Sequence, residues 1–120
     1  MAVLKADAYG HGLLPVAHEL AALTDGYAVS CLEEALPLST AGLMHRIILL
    51  EGFFDAGEIP VLSARRLDAV IHQPWQIQAL AEADITTPID CWLKVDTGMG
   101  RLGFLPEDAA SALEQLLALD

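Results

Sequence analysis

The chain has 120 residues, 54% of them hydrophobic and 19% charged, with 6 Lys plus Arg against 17 Asp plus Glu and a net charge of −11. That apolar share excludes disorder and supplies the core of one ordinary domain. The negative balance disfavours phosphate backbones and anionic lipid surfaces, so no nucleic acid and no membrane are expected as partners, and small molecules or protein are. Cys31 and Cys91 form no CxxC pair and no metal-ligand cluster, and read as small buried hydrophobes of a cytoplasmic protein. No apolar run approaches the roughly 20 residues of a membrane span, and Met1-Ala-Val-Leu-Lys5 lacks a signal-peptide layout.

Short apolar runs alternate with longer amphipathic stretches, the rhythm of βα units around a parallel sheet. The first strand is Met1–Lys5, followed by a glycine-containing loop, Ala6-Asp-Ala-Tyr-Gly-His-Gly12. A helix over 13–23 then places Leu13, Val16, Ala17 and Leu20 on one face, and Asp25-Gly26 ends it. The second unit is Tyr27-Ala-Val-Ser-Cys31 and a helix from Leu32, which Pro37 should kink or shorten. Ile47–Glu51 is the third strand, entering Gly52-Phe-Phe-Asp55 and a short helix near Ala56–Leu62 that contains Pro60.

The fourth unit is strand Leu67–His72 and helix Pro74–Glu82, whose first-turn proline needs no amide donor. The fifth strand spans Ile89–Val95, before the loop Asp96-Thr-Gly-Met-Gly-Arg-Leu-Gly103. A helix opens at Pro106 and runs on to the last residues, with Glu107 and Asp108 in its favourable first turn. No repeat or linker divides the chain, so it is one unit: either a small doubly wound domain or part of a (β/α)8 barrel, which needs three more units to close.

In either architecture functional residues gather at the carboxyl ends of strands. Lys5 ends strand one before Tyr9-Gly-His-Gly12, and Lys94 ends strand five before a loop carrying Arg101. Burial at a strand end disfavours an ammonium and prepares an amine nucleophile or base. A lysine snorkelling from the rim accounts for the position equally well. The Gly10-His11-Gly12 turn can simply start the helix, or its amides can approach an anion with Tyr9 adding a phenol donor. His18, His45 and His72 share no ligand spacing and read as packing or surface residues, so no metal is expected. Trp75 and Trp92 read as core.

Gly98-Met-Gly-Arg-Leu-Gly103 matches the G-x-G-x-x-G dinucleotide fingerprint by letter and follows a strand. In a dinucleotide site the helix starts within the glycines; here Pro106 puts it after the last one, which argues against that reading.

Ala2-Val-Leu-Lys-Ala-Asp-Ala-Tyr-Gly-His-Gly12 closely resembles the cofactor-lysine motif of alanine racemases. Leu93-Lys-Val-Asp-Thr-Gly-Met-Gly-Arg-Leu-Gly103 resembles a second motif of the same family, in the same order. Leu32-Glu-Glu-Ala-Leu36 and Leu49-Leu-Glu-Gly-Phe-Phe-Asp55 are also similar to bacterial members, so the resemblance covers essentially the whole chain. It implies a partial (β/α)8 TIM barrel, the middle of an N-terminal barrel domain, with the family's C-terminal β-domain absent.

The resemblance further implies pyridoxal 5'-phosphate as cofactor and the interconversion of L- and D-alanine, for peptidoglycan precursors or D-alanine catabolism. Lys5 matches the lysine that carries the cofactor and moves the substrate proton on one face. Tyr9 matches the tyrosine on the cofactor phosphate. Arg101 matches the arginine near the cofactor's phenolic oxygen and the substrate carboxylate. Lys94 matches a lysine that many members carbamylate, whose anion could pair with Arg101 and fix its rotamer. The family's opposite-face tyrosine comes from the β-domain of a partner in a head-to-tail homodimer. Five of eight strands cannot enclose the cofactor, so the isolated chain is expected to associate through open edges and to turn over little or no amino acid. The readings set against this one are a non-catalytic βα domain binding a phosphorylated metabolite at Tyr9–Gly12, and the dinucleotide module.

Overall fold

The structure, a computed structural model, describes residues 1–119; the expected run of the last helix to Asp120 ends outside them. Strands β1 (Ala2–Val3), β2 (Gly26–Val29), β3 (Arg46–Leu49), β4 (Asp68–Ile71) and β5 (Cys91–Leu93) pair in parallel, in chain order, in one sheet. Parallel neighbours need a crossover, and a helical segment supplies each one. These are α1 (Lys5–Gly10) with α2 (Leu13–Leu20), α3 (Leu32–Thr40), a 3-10 turn (Ala56–Glu58) with α4 (Ile59–Arg65), and α5 (Pro74–Glu82), while α6 (Pro106–Leu117) follows β5. A doubly wound sheet reverses its strand order at a switch point. This sheet never reverses, so it is an arc of a (β/α) barrel and not a doubly wound domain.

Side chains alternate along each strand, and the two faces differ accordingly. Tyr27, Val29, Ile47, Leu49, Ala69 and Ile71 join the core under the helices, with Ala17, Leu38, Leu62 and Ile77 packed onto them. Tyr27 is fully buried, and its hydroxyl donates to the Ala17 carbonyl at 2.7 Å, which ties β2 to α2. On the other face Val3, Ala28 and Ile48 stand side by side in register, as do Val70 and Trp92. That second face is the concave, barrel-interior side.

Several expectations are corrected. Pro37 does not break α3, which runs through it to Thr40, two residues short of the Gly42 to which the pattern extends. The carbonyl it leaves without a helical donor is that of exposed Glu33, where water can bond it. Helix α2 stops at Leu20, three residues early, because Ala21 and Leu23 bond back to the carbonyls three residues before them and tighten the last turn. The segment after Asp55 splits: a 3-10 turn capped by the Asp55 carboxylate at 2.7 Å, then a helix with Pro60 in its first turn. Trp75 and Trp92 are 39% and 45% exposed and are not core. Trp75 only meets Phe53 edge-on at 5.4 Å, and Trp92 sits on the concave face. Cys31 is half-buried and Cys91 exposed, so neither is the buried hydrophobe expected; both are free.

Candidate functional site

In a parallel sheet every strand ends on the same edge, so the loops after β1 and β5 open on one rim. Lys5 stands two residues beyond β1, and Lys94 directly follows β5. These are the outermost strands, four strand spacings or roughly 19 Å apart along the sheet. Bending the sheet toward an eight-strand closure turns strands one and five toward each other across the mouth. The rim therefore carries half-buried Lys5 and exposed Tyr9 at its β1 end, and half-buried Lys94 and exposed Arg101 at its β5 end.

The Lys5 side of the rim is built on unusual backbone. The expected glycine loop is instead a helical turn wound left-handed: Ala6, Asp7, Ala8 and Tyr9 all have φ of 53–55° and ψ of 35–51°. For L-residues this handedness costs about 1–2 kcal/mol each, or roughly 4–8 kcal/mol for the four. Strain on that scale persists only where surrounding contacts over-determine it. Here Ala8 is buried at 3% exposure, and its amide donates to the Leu4 carbonyl at 2.8 Å. The Asp7 carboxylate accepts from the Leu13 amide at 2.7 Å and so opens α2. Glu34, from α3, accepts from the Ala6 amide at 2.7 Å through Oε1 and from the Ser30 amide at 2.8 Å through Oε2.

The Arg101 loop is ordered by one carboxylate and one glycine. Asp96 Oδ1 accepts from the amides of Gly98 and Gly100 at 2.9 and 3.0 Å, which holds the Asp96 carboxyl below the usual carboxylate range. Gly103, at φ 127°, folds the chain back so that the Phe104 amide reaches the Lys94 carbonyl at 2.9 Å and the Phe104 carbonyl accepts from the Asp96 amide at 2.8 Å. A Cβ on Gly103 would stand 2.7 Å from the Asp96 nitrogen. The third glycine of the G-x-G-x-x-G run thus closes this loop onto its own strand, and α6 begins only at Pro106. A dinucleotide site needs the helix to begin among those glycines, so the geometry contradicts that reading.

A second polar cluster lies on the concave face at the other ends of the strands. Arg46 donates from Nε and Nη2 to Asp68 Oδ2 at 2.9 and 2.7 Å, and from Nη2 to Asp90 Oδ2 at 2.6 Å. Trp92 Nε1 donates to the same Asp68 oxygen at 2.8 Å, with the Arg46 guanidinium 5.6 Å from the indole centre. These groups satisfy one another and link β3, β4 and β5 at the barrel floor. Among the described residues Arg46 makes the only ion pairs, so Lys5, Lys94 and Arg101 are committed to none.

The remaining histidines pack as expected or lie exposed. His45 meets Tyr27 at 5.0 Å and bonds the Ala21 carbonyl, His72 bonds the Glu51 carbonyl beneath Gln76, and His11 and His18 are exposed. Among the described residues no group of His, Cys, Asp and Glu can hold a metal ion, and no helix is long and apolar enough to cross a membrane. An apolar groove of about 430 Å³ beside β5, between α5 and α6, lies away from the rim and carries none of its polar groups.

Two lysines just past strand ends and a loop arginine, on the rim of a parallel βα arc, define a barrel-type domain with basic side chains at its mouth. The chain belongs to the alanine racemase N-terminal domain family, whose profile it matches over residues 1–120. It is 49% identical over 118 residues to the catabolic alanine racemase of Pseudomonas aeruginosa, covering 98% of this chain and 33% of that protein. The crystal structure of the biosynthetic alanine racemase of Pseudomonas aeruginosa superposes with a TM-score of 0.93 at 42% identity, over 98% of this chain and 33% of that one. A histidine racemase from Leuconostoc mesenteroides superposes at 0.90 with 33% identity, over all of this chain and 33% of its own. The chain thus spans about a third of the length of the relatives it matches.

The sequence pointed to Lys5, Tyr9, Lys94 and Arg101, and the structure puts all four on one rim. It did not point to Glu34, Asp7 or Asp96. Asp96 had a signal in Asp-x-Gly, the pattern of a side chain that caps its own turn. Glu34 had half of one, as the third residue of a helix whose N-cap is Cys31, where a carboxylate commonly reaches back. Nothing in the spacing pointed across 28 residues to Ala6.

Proposed function

We propose that the protein to which this chain belongs interconverts L- and D-alanine with pyridoxal 5'-phosphate, and that Lys5 carries the cofactor. The observation that supports this most is the placing of Lys5 and Tyr9 on one strained turn, at the same edge of the sheet as the Arg101 loop. As a donor set it fits the group: a primary amine for an aldehyde, a phenol for a phosphate oxygen, and a planar guanidinium for a phenolate or carboxylate. When bound, the cofactor takes up the electron pair left on the amino acid's α-carbon as the proton departs.

The residues divide the remaining work. The Lys5 amine removes and returns the α-proton on one face. Tyr9 holds the phosphate, and Arg101 holds the substrate carboxylate and the cofactor's phenolic oxygen. Lys94, carbamylated, pairs with Arg101 and keeps its guanidinium aimed; Asp96 and Gly103 hold the loop that carries it. A racemase needs a second proton carrier on the opposite face, and we assign it to a tyrosine of a partner subunit in a homodimer. The isolated 120 residues therefore turn over little or no substrate. Free thiols at Cys31 and Cys91 accord with a cytoplasmic protein. Alanine is favoured over histidine as substrate by the 42% identity to a superposed alanine racemase against 33% to the superposed histidine racemase. The chain is similar both to a catabolic and to a biosynthetic alanine racemase, so either use of D-alanine fits.

Incubating the full-length protein with pyridoxal phosphate, reducing with borohydride and mapping the label by mass spectrometry tests the reading. A label on Lys5, with conversion of L- to D-alanine before reduction, is the expected result. A folded protein labelled elsewhere or nowhere, or one that binds only inorganic phosphate at Tyr9–Gly12, overturns it.

A further inference from the structure

We infer that Glu34 is the positioning residue for Lys5 and Tyr9, and that its carboxylate holds the left-handed turn against the sheet; this rests on Lys5 being the cofactor lysine. In any helical turn the first amides have no partner within the turn. Around α1, the Ala8, His11 and Gly12 amides bond the Leu4, Ala8 and Asp7 carbonyls, and the Ala6 amide, next to Lys5, has no backbone acceptor. Glu34 Oε1 takes it at 2.7 Å, a charge-assisted bond at the short end of the range.

The other oxygen fixes where that bond points. Oε2 holds the Ser30 amide at 2.8 Å, just past β2, and β2 is the strand against which β1 registers through Ala2 with Tyr27 and Val3 with Ala28. One carboxylate thus ties the end of β2, the start of α3 and the residue after Lys5 into a single frame. Asp7 cannot do the same, because its side chain bonds Leu13 on the turn's own side and leaves the turn free to shift as a unit. Glu33, one residue earlier, is exposed and makes neither bond. The site requires an acceptor at both oxygens. Glutamine offers one carbonyl and one NH2 group to two N–H donors, so one contact becomes donor against donor.

The test uses the full-length protein as wild type, Glu34→Gln and Glu33→Gln, all checked for folding by circular dichroism. Amide exchange read without cofactor on the peptide spanning residues 5–12 should rise about tenfold or more in Glu34→Gln and stay at the wild-type rate in Glu33→Gln. The rate at which added pyridoxal phosphate becomes borohydride-trapped on Lys5 should fall about tenfold in Glu34→Gln, with kcat for alanine falling more than KM rises. Exchange in Glu34→Gln equal to that in Glu33→Gln overturns the proposal, as does an unchanged trapping rate. If wild type itself traps no cofactor on Lys5, the functional reading fails instead, and the exchange result alone decides the role of Glu34.

Discussion

The floor and the rim of this barrel arc are both polar, yet they are built on opposite terms. At the floor, one oxygen of Asp68 accepts from Arg46 and from Trp92, and Arg46 also reaches Asp90, so charge is consumed locally. At the rim, carboxylates spend their lone pairs on backbone amides, Glu34 on Ala6 and Ser30, Asp96 on Gly98 and Gly100. The basic side chains there, Lys5, Arg101 and Lys94 in its unmodified form, make no ion pair among the described residues. A cluster that closes on itself fixes strand register; a cluster that pins backbone and leaves its cations uncommitted prepares a surface for a ligand. The difference separates a cluster that satisfies itself from one whose basic groups stay available more sharply than charge or burial does.

Substitutions can break that contrast, beginning where the effect should be greatest. Lys5→Ala in the full-length protein should lower alanine racemisation on the order of 10³-fold or more while leaving the thermal midpoint within a degree or two, since the amine serves chemistry and no ion pair. Loss of stability with retained turnover would place Lys5 on the floor's side of the division. Asp68→Ala should do the reverse. It leaves the Trp92 N–H and the Arg46 guanidinium without their shared acceptor, and thermal unfolding should show a loss of about 2 kcal/mol with activity per folded molecule unchanged.

Gly103→Ala should fall between the two. A Cβ at φ 127° meets the Asp96 nitrogen, so a strain of about 1–2 kcal/mol moves the Arg101 loop. Steady-state kinetics should then show a higher KM for alanine and a smaller change in kcat. The smallest effect concerns acid. The carboxyl of Asp96 titrates lower in the fold than in the unfolded chain, because the amides of Gly100 and Gly98 bond its charged form. Its contribution is therefore complete above the ordinary carboxylate range and is lost as pH falls through its depressed value. Amide exchange across residues 96–103 should be flat from pH 5 to 8 once corrected for intrinsic rates, and rise only below about pH 4. A rise near neutrality would mean that another group orders the loop.

Much of this was legible in the residues. Helix α5 occupies Pro74–Glu82 as read from its proline and periodicity, and α6 opens at Pro106 for the same reason. The βα rhythm put Lys5 and Lys94 at strand ends, and the structure has them two residues and one residue past β1 and β5, with Arg101 in the loop that follows. What was not legible came from tertiary context overriding local rules. No propensity scale offers four L-residues in a row as left-handed, since that choice is favourable only once Glu34, Asp7 and the buried Ala8 methyl are already in place. Trp92 has the period-two position of a strand residue, but alternation gives two faces without saying which one is the barrel interior. Pro37 reads as a breaker because sequence does not reveal that Glu33, whose carbonyl it orphans, is an exposed residue.

The turn from Ala6 to Tyr9 is, in its dihedral angles, the mirror image of an ordinary helical turn. Its strain belongs to the chirality of the residues and not to their side chains, so it can be relieved without altering a single functional group. D-alanine at positions 6 and 8 would occupy with ease the angles that L-alanine there resists. Cys31 offers a junction at which such a synthetic 1–30 segment could be ligated to the rest of the chain. A scaffold assigned to handling both hands of one amino acid carries, beside the lysine assigned to do it, a backbone better suited to the hand that ribosomes do not use.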